Sequence, residues 1–244
     1  KQAPLDHLAV WALFGTLPKA EYTVLFDFHA AHKPFSAKFA QKAYQEIPGW
    51  EEKITRHLVE VFPALQGAKA SIRPVGQENW TGFIEWPGKT PISIEYFGDG
   101  ARHVLKVLAV LTAMAERVDE NHPGLFLWED PELFMHPASL QRLLQQVMQL
   151  VEEKPIQVFL SSQSLETVAL LTHYFHKKAI NGSEELRAFR LNLEGGNLYA
   201  ATFHFENLVT WLDQGMDPRF LGVVDLPFSY RYNIAEASTL EEDI

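Results

Sequence analysis

The chain contains no cysteine, which excludes disulfide bonds and zinc sites built from thiolates. It also lacks a signal-peptide pattern and any unbroken apolar run of about 20 residues, so the sequence predicts a soluble, cytoplasmic protein with no membrane partner. The formal net charge of -10 argues against a surface that attracts nucleic acid over its whole extent. Any contact with DNA would have to be local.

The content of apolar residues is high enough for a globular protein. The 244 residues are 47% hydrophobic, enough for one large core or two modest ones. We expect a helical or arm segment over residues 1–69, a core over 70–220 and a tail over 221–244. The chain opens at Lys1 rather than at methionine, so we expect an intact protein heavier than 27.8 kDa. In that protein, residues 1–69 would be part of an N-terminal lobe that is incomplete in this chain.

The most informative segment is residues 125–137, where two adjacent carboxylates, Glu129 and Asp130, directly follow an apolar run. A buried parallel strand would deliver them to the carboxyl edge of a sheet, the usual place for ligands in open α/β folds. One acid of such a pair can hold Mg²⁺ while its neighbour polarises the water that attacks a γ-phosphate. The alternative is an exposed turn between a strand and a loop, with Pro131 ending the strand.

The second half of the chain alternates between helix and strand, which is typical of a parallel α/β sheet. The predicted elements are a helix after Gly98-Asp99-Gly100 with Val104, Val107, Leu108 and Leu111 on one face, a strand ending at Trp128, a helix from Pro137, a strand over 156–160, and a helix through Leu171.

The remaining segments carry no motif of their own. The predicted elements are a helix over 5–17, a strand over 22–28, two helices over 36–46 and 50–62 that could form an arm or a lid, a hairpin of strands 80–86 and 92–96, a second hairpin of strands 186–193 and 198–203, a helix over 206–212, and a loop from Pro218.

Three features fall in a fixed order: a Gly-Asp-Gly turn that opens a helix, an acid pair after an apolar strand, and the polar loop Ser161–Ser164 after the next strand. In that order they resemble the ABC-type ATPase heads of the RecF, SMC and OLD-like group, including AAA-annotated ATPases of bacterial defence and repair. The resemblance covers about 92–171 well and 186–219 more loosely. It implies an α/β P-loop NTPase fold of ABC type, with a parallel sheet core, flanking helices, a helical arm and β-hairpins.

The resemblance assigns the glycine turn to a signature loop, which in such heads caps the γ-phosphate held by the opposite protomer. The residues concerned are Gly98, Asp99, Gly100 and Arg102. A helix N-terminus suits this role because its free N–H groups and its dipole attract phosphate. Gly98 stands where the family often has serine, which removes one hydroxyl donor. The alternative is a glycine turn that caps an ordinary helix.

Glu129 and Asp130 resemble a Walker B pair, which implies Glu129 for the metal and Asp130 as the general base. The family more often has glutamate at the second position, and the shorter aspartate predicts slow hydrolysis. Glu132 and His136 resemble the D-loop, which crosses the dimer interface in such heads. The alternative for His136 is a helix-capping residue.

Gln163 lies where the family usually places its switch histidine. An amide can hydrogen-bond a phosphate or a water but takes up no proton, so its catalytic role would be positional. The alternative is a polar cap between strand and helix, with Ser164 as the N-cap of the next helix. Both readings can hold at once.

The sequence has no G-x-x-x-x-G-K-[ST] segment, whose amides and lysine would wrap the phosphates of a nucleotide. The nearest match runs from Gly82 to Thr90, but its spacing is one residue too long and a predicted strand follows, so we interpret it as a chance match. Either the first lobe that carries the loop is absent from this segment, or the protein has lost it.

The resemblance therefore implies an ATPase that binds ATP and Mg²⁺ between the heads of a homodimer or higher oligomer and hydrolyses ATP slowly. It would act on DNA or on a separate nuclease or effector chain, in repair or in anti-phage defence. The alternative is a scaffold or sensor that keeps the fold without hydrolysis. A metal-dependent hydrolase using His173 and His176 with the acid pair is disfavoured, because no acid lies beside these histidines in the sequence.

Overall fold

The computed structural model describes residues 22–76, 78–178 and 186–217. The chain divides into two compact units, 1–162 and 163–244. The predicted helix over 5–17, the predicted loop from Pro218 and the tail lie outside the described residues. The predicted domain boundaries at 69/70 and 220/221 do not coincide with the division at 162/163, and they stay predictions.

The first unit contains seven strands and five α-helices among its described residues. The strands are β1 (Tyr22–Phe26), β2 (Phe35–Ser36), β3 (Lys69–Val75), β4 (Asn79–Glu85), β5 (Ile92–Ser93), β6 (Gly124–Glu129) and β7 (Ile156–Ser161). The helices are α1 (Phe28–His32), α2 (Ala37–Glu46), α3 (Trp50–Val61), α4 (Asp99–Ala115) and α5 (Pro137–Val151), with 3-10 turns at Pro63–Leu65 and Ile94–Phe97.

Strands β1, β6 and β7 form a parallel sheet in that order, which confirms the predicted α/β class. The register pairs Phe26 with Trp128 and Glu129 with Ser161, so the three strands end side by side. Within the described ranges, β7 has a neighbouring strand on one side only. The strand predicted over 22–28 is shorter, because the Asp27 carboxylate accepts the Ala30 N–H at 2.7 Å and opens α1.

A second, antiparallel sheet has β4 at its centre, with β2, β3 and β5 paired to it. The predicted hairpin is confirmed in β4 and β5, but β5 is only two residues long. Ser93 Oγ accepts the Glu95 N–H at 3.4 Å, and the chain turns into a 3-10 helix where the sequence predicted continued strand. The sequence prediction missed β3, which pairs with the full length of β4.

Helix α4 lies between the two sheets and is buried along nearly its whole length. On one side the His103 ring contacts Phe26 edge-on at 5.4 Å. On the other, the Leu105 side chain lies 2.0 Å from where a Cβ on Gly82 would be, so β4 requires glycine there. The predicted apolar face is confirmed, and burial extends beyond it to His103 and Lys106. A helix that is apolar almost all round is buried in this way.

Helices α3 and α5 pack against α4. The Trp50 indole N–H donates to the Ala109 carbonyl at 3.0 Å, and α3 buries Ile54, Leu58 and Val61. The helix predicted over 50–62 as a possible arm or lid therefore forms part of the core of the first unit. The helix predicted from Pro137 is confirmed in α5, whose buried stripe includes Leu140, Leu143, Leu144 and Val147.

The second unit consists of α6 (Leu165–Lys177), β8 (Arg187–Glu194), β9 (Asn197–His204) and α7 (Phe205–Asp213) in its described part. The predicted hairpin is confirmed, and Gly195 and Gly196 form its turn with φ of 58° and 83°. Helix α6 continues to Lys177, beyond the predicted end at Leu171. No helix in the described ranges is long and apolar enough to cross a lipid bilayer.

Candidate functional site

The acid pair lies at the carboxyl edge of the parallel sheet. Glu129 is the last residue of β6 and is exposed, and Asp130 is the first residue of the following loop. Asp130 has a φ of 45°, and its N–H donates to the Ser161 carbonyl at 2.9 Å. This hydrogen bond ties the start of the loop to the end of β7, so the acid pair is held by two neighbouring strands.

The pKa of Asp130 is raised above its ordinary value, first by partial burial and then by the negative charge of Glu132. A carboxylate with a raised pKa accepts a proton more readily than a free one. Asp130 therefore has the chemical character expected of a group that polarises a water molecule.

The loop after the acid pair is tightly folded. The Leu133 N–H donates to the Asp130 carbonyl and the Met135 N–H to the Glu132 carbonyl, both at 3.0 Å. The Ser162 hydroxyl donates to the Glu132 carboxylate at 2.7 Å, which joins this loop to the residue after β7. Phe134 adopts a left-handed conformation with φ of 63°. These bonds give the loop one defined conformation beside the acids.

Helix α4 begins at the edge of the same loop. Gly98 is its N-cap residue with φ of 87°, and no side chain caps the helix. A Cβ on Gly100 would lie 2.6 Å from the Phe134 carbonyl oxygen. The structure therefore brings the predicted signature loop against the loop that follows the acid pair, and glycine at position 100 permits this close approach.

The Arg102 guanidinium is bound by two carboxylates. It pairs with Asp99 at 2.5 Å and with Glu95, and its side chain is 16% exposed. Glu95 was predicted to lie in a strand, so this pairing was not predicted. Because both acids hold the guanidinium, a phosphate that approaches the start of α4 must compete with them for Arg102.

The capping alternative is confirmed for His136. Its Nδ1 accepts the Ala138 N–H at 3.3 Å, and Pro137 follows as the first residue of α5. The histidine is exposed, and its role at a dimer interface stays a prediction.

Gln163 is the first residue of the second unit, and its catalytic role stays a prediction. Ser164 is confirmed as the N-cap of α6, because its hydroxyl accepts the Thr167 N–H at 3.4 Å. His173 and His176 lie on α6, and the described residues contain no group of three or more His, Asp or Glu side chains that could hold a metal ion.

Two titratable residues of α4 were missed by sequence reasoning. His103 is 3% exposed, lies between Phe26 and Trp128, and has no hydrogen-bond partner for either ring nitrogen among the described residues. Burial, then the charges of His32 and Lys106, lower its pKa to about 4. Lys106 is equally buried. The run from Val104 to Ala115, in which only Lys106 and Thr112 are not apolar, was the signal that this helix would lie inside.

The segment from Gly82 to Thr90 is confirmed as a chance match to a phosphate-binding loop. Gly82 lies within β4, Gly88 lies in the turn after β4, and the element directly after Thr90 is the strand β5 rather than a helix. A phosphate-binding loop would need a helix there, with its N–H groups facing the nucleotide.

The acid pair suits Mg²⁺ better than a metal that is bound by protein ligands alone. Mg²⁺ usually keeps several waters and takes one or two carboxylates together with substrate phosphates. The exposed Glu129 and the half-buried Asp130 provide this donor set. If a nucleotide binds at this edge, Glu129 would hold its metal ion, and Asp130 would lie beside the water that attacks the phosphate.

The fold and the site define an α/β protein with an acid pair at the carboxyl edge of a parallel sheet, next to a glycine-opened helix. Residues 13–169, more than half of the chain, match a family model described as "AAA domain, putative AbiEii toxin, Type IV TA system". The chain belongs to this AAA-domain family. The match confirms the resemblance to AAA-annotated ATPases.

One relative is an uncharacterized protein of Methanocaldococcus jannaschii. It is 31% identical over 111 residues, which are 46% of this chain and 88% of that protein. Because that protein is uncharacterized, the similarity adds no function.

The chain is also similar to solved SMC structures. An SMC ATPase structure concerned with ATP-driven dimerization and DNA-stimulated activation is 14% identical with a TM-score of 0.44, covering 66% of this chain and 90% of that one. SMC head domains from Pyrococcus yayanosii and Pyrococcus furiosus are 9% and 11% identical with TM-scores of 0.44 and 0.45. The matches to these two head domains cover 70% and 71% of this chain. They cover only 29% and 38% of the two SMC chains.

Proposed function

We propose that the protein is an ATPase head that binds Mg-ATP between two protomers and hydrolyses it slowly. Its motion would be coupled to DNA or to an effector nuclease in repair or defence. Membership of the AAA-domain family supports nucleotide binding, and the dimer, the partner and the DNA are parts of the proposal.

The observation that carries the proposal is the contact between the two predicted motifs. The loop after Glu129 and Asp130 packs against the start of α4, with the Phe134 carbonyl oxygen 2.6 Å from where a Cβ on Gly100 would be. In a head-to-head dimer, one protomer's acids and its partner's glycine turn would meet at a shared nucleotide. A protomer that supplies both motifs at one surface suits this arrangement.

In the proposed reaction the bound Mg²⁺ neutralises charge on the phosphates. Glu129 would hold the metal ion through its exposed carboxylate. Asp130 would accept a hydrogen bond from the attacking water, and its raised pKa favours that role. The uncapped N–H groups at the start of α4 would bind the γ-phosphate of the opposite site.

The proposal requires a phosphate-binding loop, which the printed sequence does not contain. Within the described ranges, β1 and β7 are both edge strands of the parallel sheet. A further strand could pair with β7, whose last residue, Ser161, lies beside Glu129. We propose that the segment carrying the loop adds to the parallel sheet at this edge.

The test is ATP turnover in the complete protein, measured beside Asp130→Asn. Asparagine keeps the size of the side chain and removes its basicity, so hydrolysis should fall by about 100-fold or more while nucleotide affinity changes little. Asp119→Asn, which changes an exposed aspartate outside the site, is the control and should retain turnover. Full turnover in Asp130→Asn would refute the assignment of Asp130.

A second candidate function is a scaffold or sensor with the same fold and no hydrolysis. The pairing of Arg102 with Glu95 and Asp99 favours it, because it places negative charge beside the proposed phosphate site. A wild-type protein that binds ATP without hydrolysing it, and that forms the same oligomer with and without ATP, would favour this function over the ATPase.

A further inference from the structure

A single lysine of α4 holds one end of the short helix α1. The Lys106 ammonium donates to the Ala31 carbonyl at 2.9 Å, to the Ala30 carbonyl at 3.5 Å and to the Lys33 carbonyl. Ala30 and Ala31 lie in the last turn of α1, and Lys33 is its C-cap residue. All three N–H donors of the ammonium are therefore used at one helix end.

Apolar packing contributes little to the position of α1. Ala31 is the only buried residue of its five. A cavity of about 250 Å³ lies beside it, lined mainly by apolar side chains such as Leu25, Phe35 and Val110, with Lys106 in its wall. Because few apolar contacts fix the helix, its position depends on the Lys106 hydrogen bonds and on the Asp27 cap.

Two aromatic rings of α1 contact the loop after the acid pair. The centroids of the Phe28 and His32 rings lie 4.2 Å apart. The centroid of the Phe134 ring lies 6.1 Å from that of Phe28 and 5.3 Å from that of His32. Phe134 is also the residue whose carbonyl approaches Gly100. The loop therefore lies between α1 on one side and the start of α4 on the other.

We propose that Lys106 is a positioning residue for the acid pair. It holds α1, and α1 holds the 130–136 loop through the rings of Phe28, His32 and Phe134. The consequence for catalysis rests on the proposed ATPase function. The positioning itself does not, because every contact in it is made without a nucleotide.

Lys106 is buried as a cation, and its ammonium donates to three backbone carbonyls at the end of α1. No carboxylate of the described residues lies within ion-pair distance of its ammonium, and burial lowers its pKa to about 8, with Glu95 opposing the shift and Arg102 adding to it. The amine is therefore mostly protonated at neutral pH and keeps three donors. An apolar side chain of the same length would avoid the cost of burying a charge, but it could not bind three carbonyls.

The direct test is amide hydrogen exchange on the complete protein, comparing wild type with Lys106→Met. Methionine keeps the length of the side chain and removes its donors. We expect amides of 27–33 to exchange about tenfold faster and those of 130–136 to exchange faster as well, with α3 and α5 unchanged. Lys38→Met, which changes an exposed lysine of α2, is the control and should match wild type.

ATP turnover supplies a second readout. Lys106→Met should lower kcat about tenfold and leave KM for ATP unchanged, because the acid pair is misplaced while the nucleotide still binds. Faster exchange at 27–33 with unchanged exchange at 130–136 would overturn the proposal. If wild type has no turnover, the ATPase proposal fails, and hydrogen exchange still decides the positioning role of Lys106.

Phe134→Ala tests separately whether α1 holds the 130–136 loop, because it leaves the hydrogen bonds between Lys106 and α1 in place. It also tests the proposal if Lys106→Met does not fold. The Phe134 ring is 44% exposed, so its removal should leave the fold intact. We expect faster exchange at 130–136 with unchanged exchange at 27–33, because Lys106 still holds α1. Unchanged exchange at 130–136 would mean that α1 does not hold the loop, and the proposal would be wrong.

Discussion

His103 should make the stability of the protein depend on pH. Its folded-state pKa of about 4 lies below the ordinary value of 6.5, so between these pH values the unfolded chain binds a proton that the folded chain does not. The free energy of unfolding should therefore fall as the pH is lowered through this window, by about 3 kcal/mol from this residue alone. Chemical denaturation at pH 7 and pH 4 measures the effect.

The matched variants are His103→Leu and His29→Leu. Leucine at position 103 removes the buried ring, so the loss of stability between pH 7 and pH 4 should be about 3 kcal/mol smaller than in wild type. His29 is exposed, and its replacement should leave the pH dependence as it is in wild type. An unchanged pH dependence in His103→Leu would contradict the burial of a neutral imidazole.

At the level of single residues, some positions were predictable from the sequence and others were not. The position of Glu129 and Asp130 after a strand was predictable, because an apolar run followed by acids and proline has few other interpretations. The pairing of Arg102 with Glu95 was not, because it depends on the turn from β5 into the 3-10 helix. The three carbonyls that bind Lys106 are more than 70 residues away in the chain, and no local pattern indicates them.

At the scale of elements, the contact between α4 and the loop after β6 should be sensitive to one methyl group. Gly100→Ala would place a Cβ 2.6 Å from the Phe134 carbonyl oxygen, so the helix start or the loop must move. We expect a loss of about 1–3 kcal/mol in the free energy of unfolding. If the proposed function holds, turnover should fall about tenfold as the acids shift.

Ala138→Gly is the matched control for Gly100→Ala. Ala138 is the second residue of α5, as Gly100 is of α4, and it is exposed. Its change should cost at most about 1 kcal/mol through helix propensity and leave turnover unchanged. If Gly100→Ala and Ala138→Gly changed the free energy of unfolding and the turnover equally, the contact between Gly100 and Phe134 would not be important for either.

The helices were predicted more accurately than the strands. The four long helices of the first unit follow from apolar periodicity, and α4 and α5 also from the residues that open them. The strand β3 was missed because it carries Arg73 and Pro74 and buries only its first half. Helix α1 was missed because residues 22–28 look like one continuous strand in the sequence. In the structure the strand ends at Phe26, and Asp27 caps the start of the helix.

At the scale of the whole molecule, the alternation of helix and strand predicted the parallel sheet, and the order of three motifs carried the resemblance to the family. The division at 162/163 was not predictable, because it falls inside the polar loop between β7 and α6, where composition does not change. The order of β1, β6 and β7 also could not be read from the chain, since β1 lies about 100 residues before its neighbour β6.

In the proposed dimer, one protomer's acids act with its partner's glycine turn. Mixing two inactive variants tests it directly. Asp130→Asn removes the base, and Gly98→Asp adds a negative charge at the start of α4, where a Cβ meets no other atom within 4 Å but the φ of 87° strains any side chain, so circular dichroism must first show that this variant is folded. Each variant alone should hydrolyse almost no ATP.

A mixed dimer would contain one site with an intact base from the Gly98→Asp protomer and an intact glycine turn from the Asp130→Asn protomer. Random pairing of equal amounts should therefore restore about one quarter of wild-type turnover. The measurement is ATP hydrolysis by the mixture against each variant alone. Recovery to that level is the predicted result, and no recovery in a mixture that forms dimers would contradict a site shared between protomers.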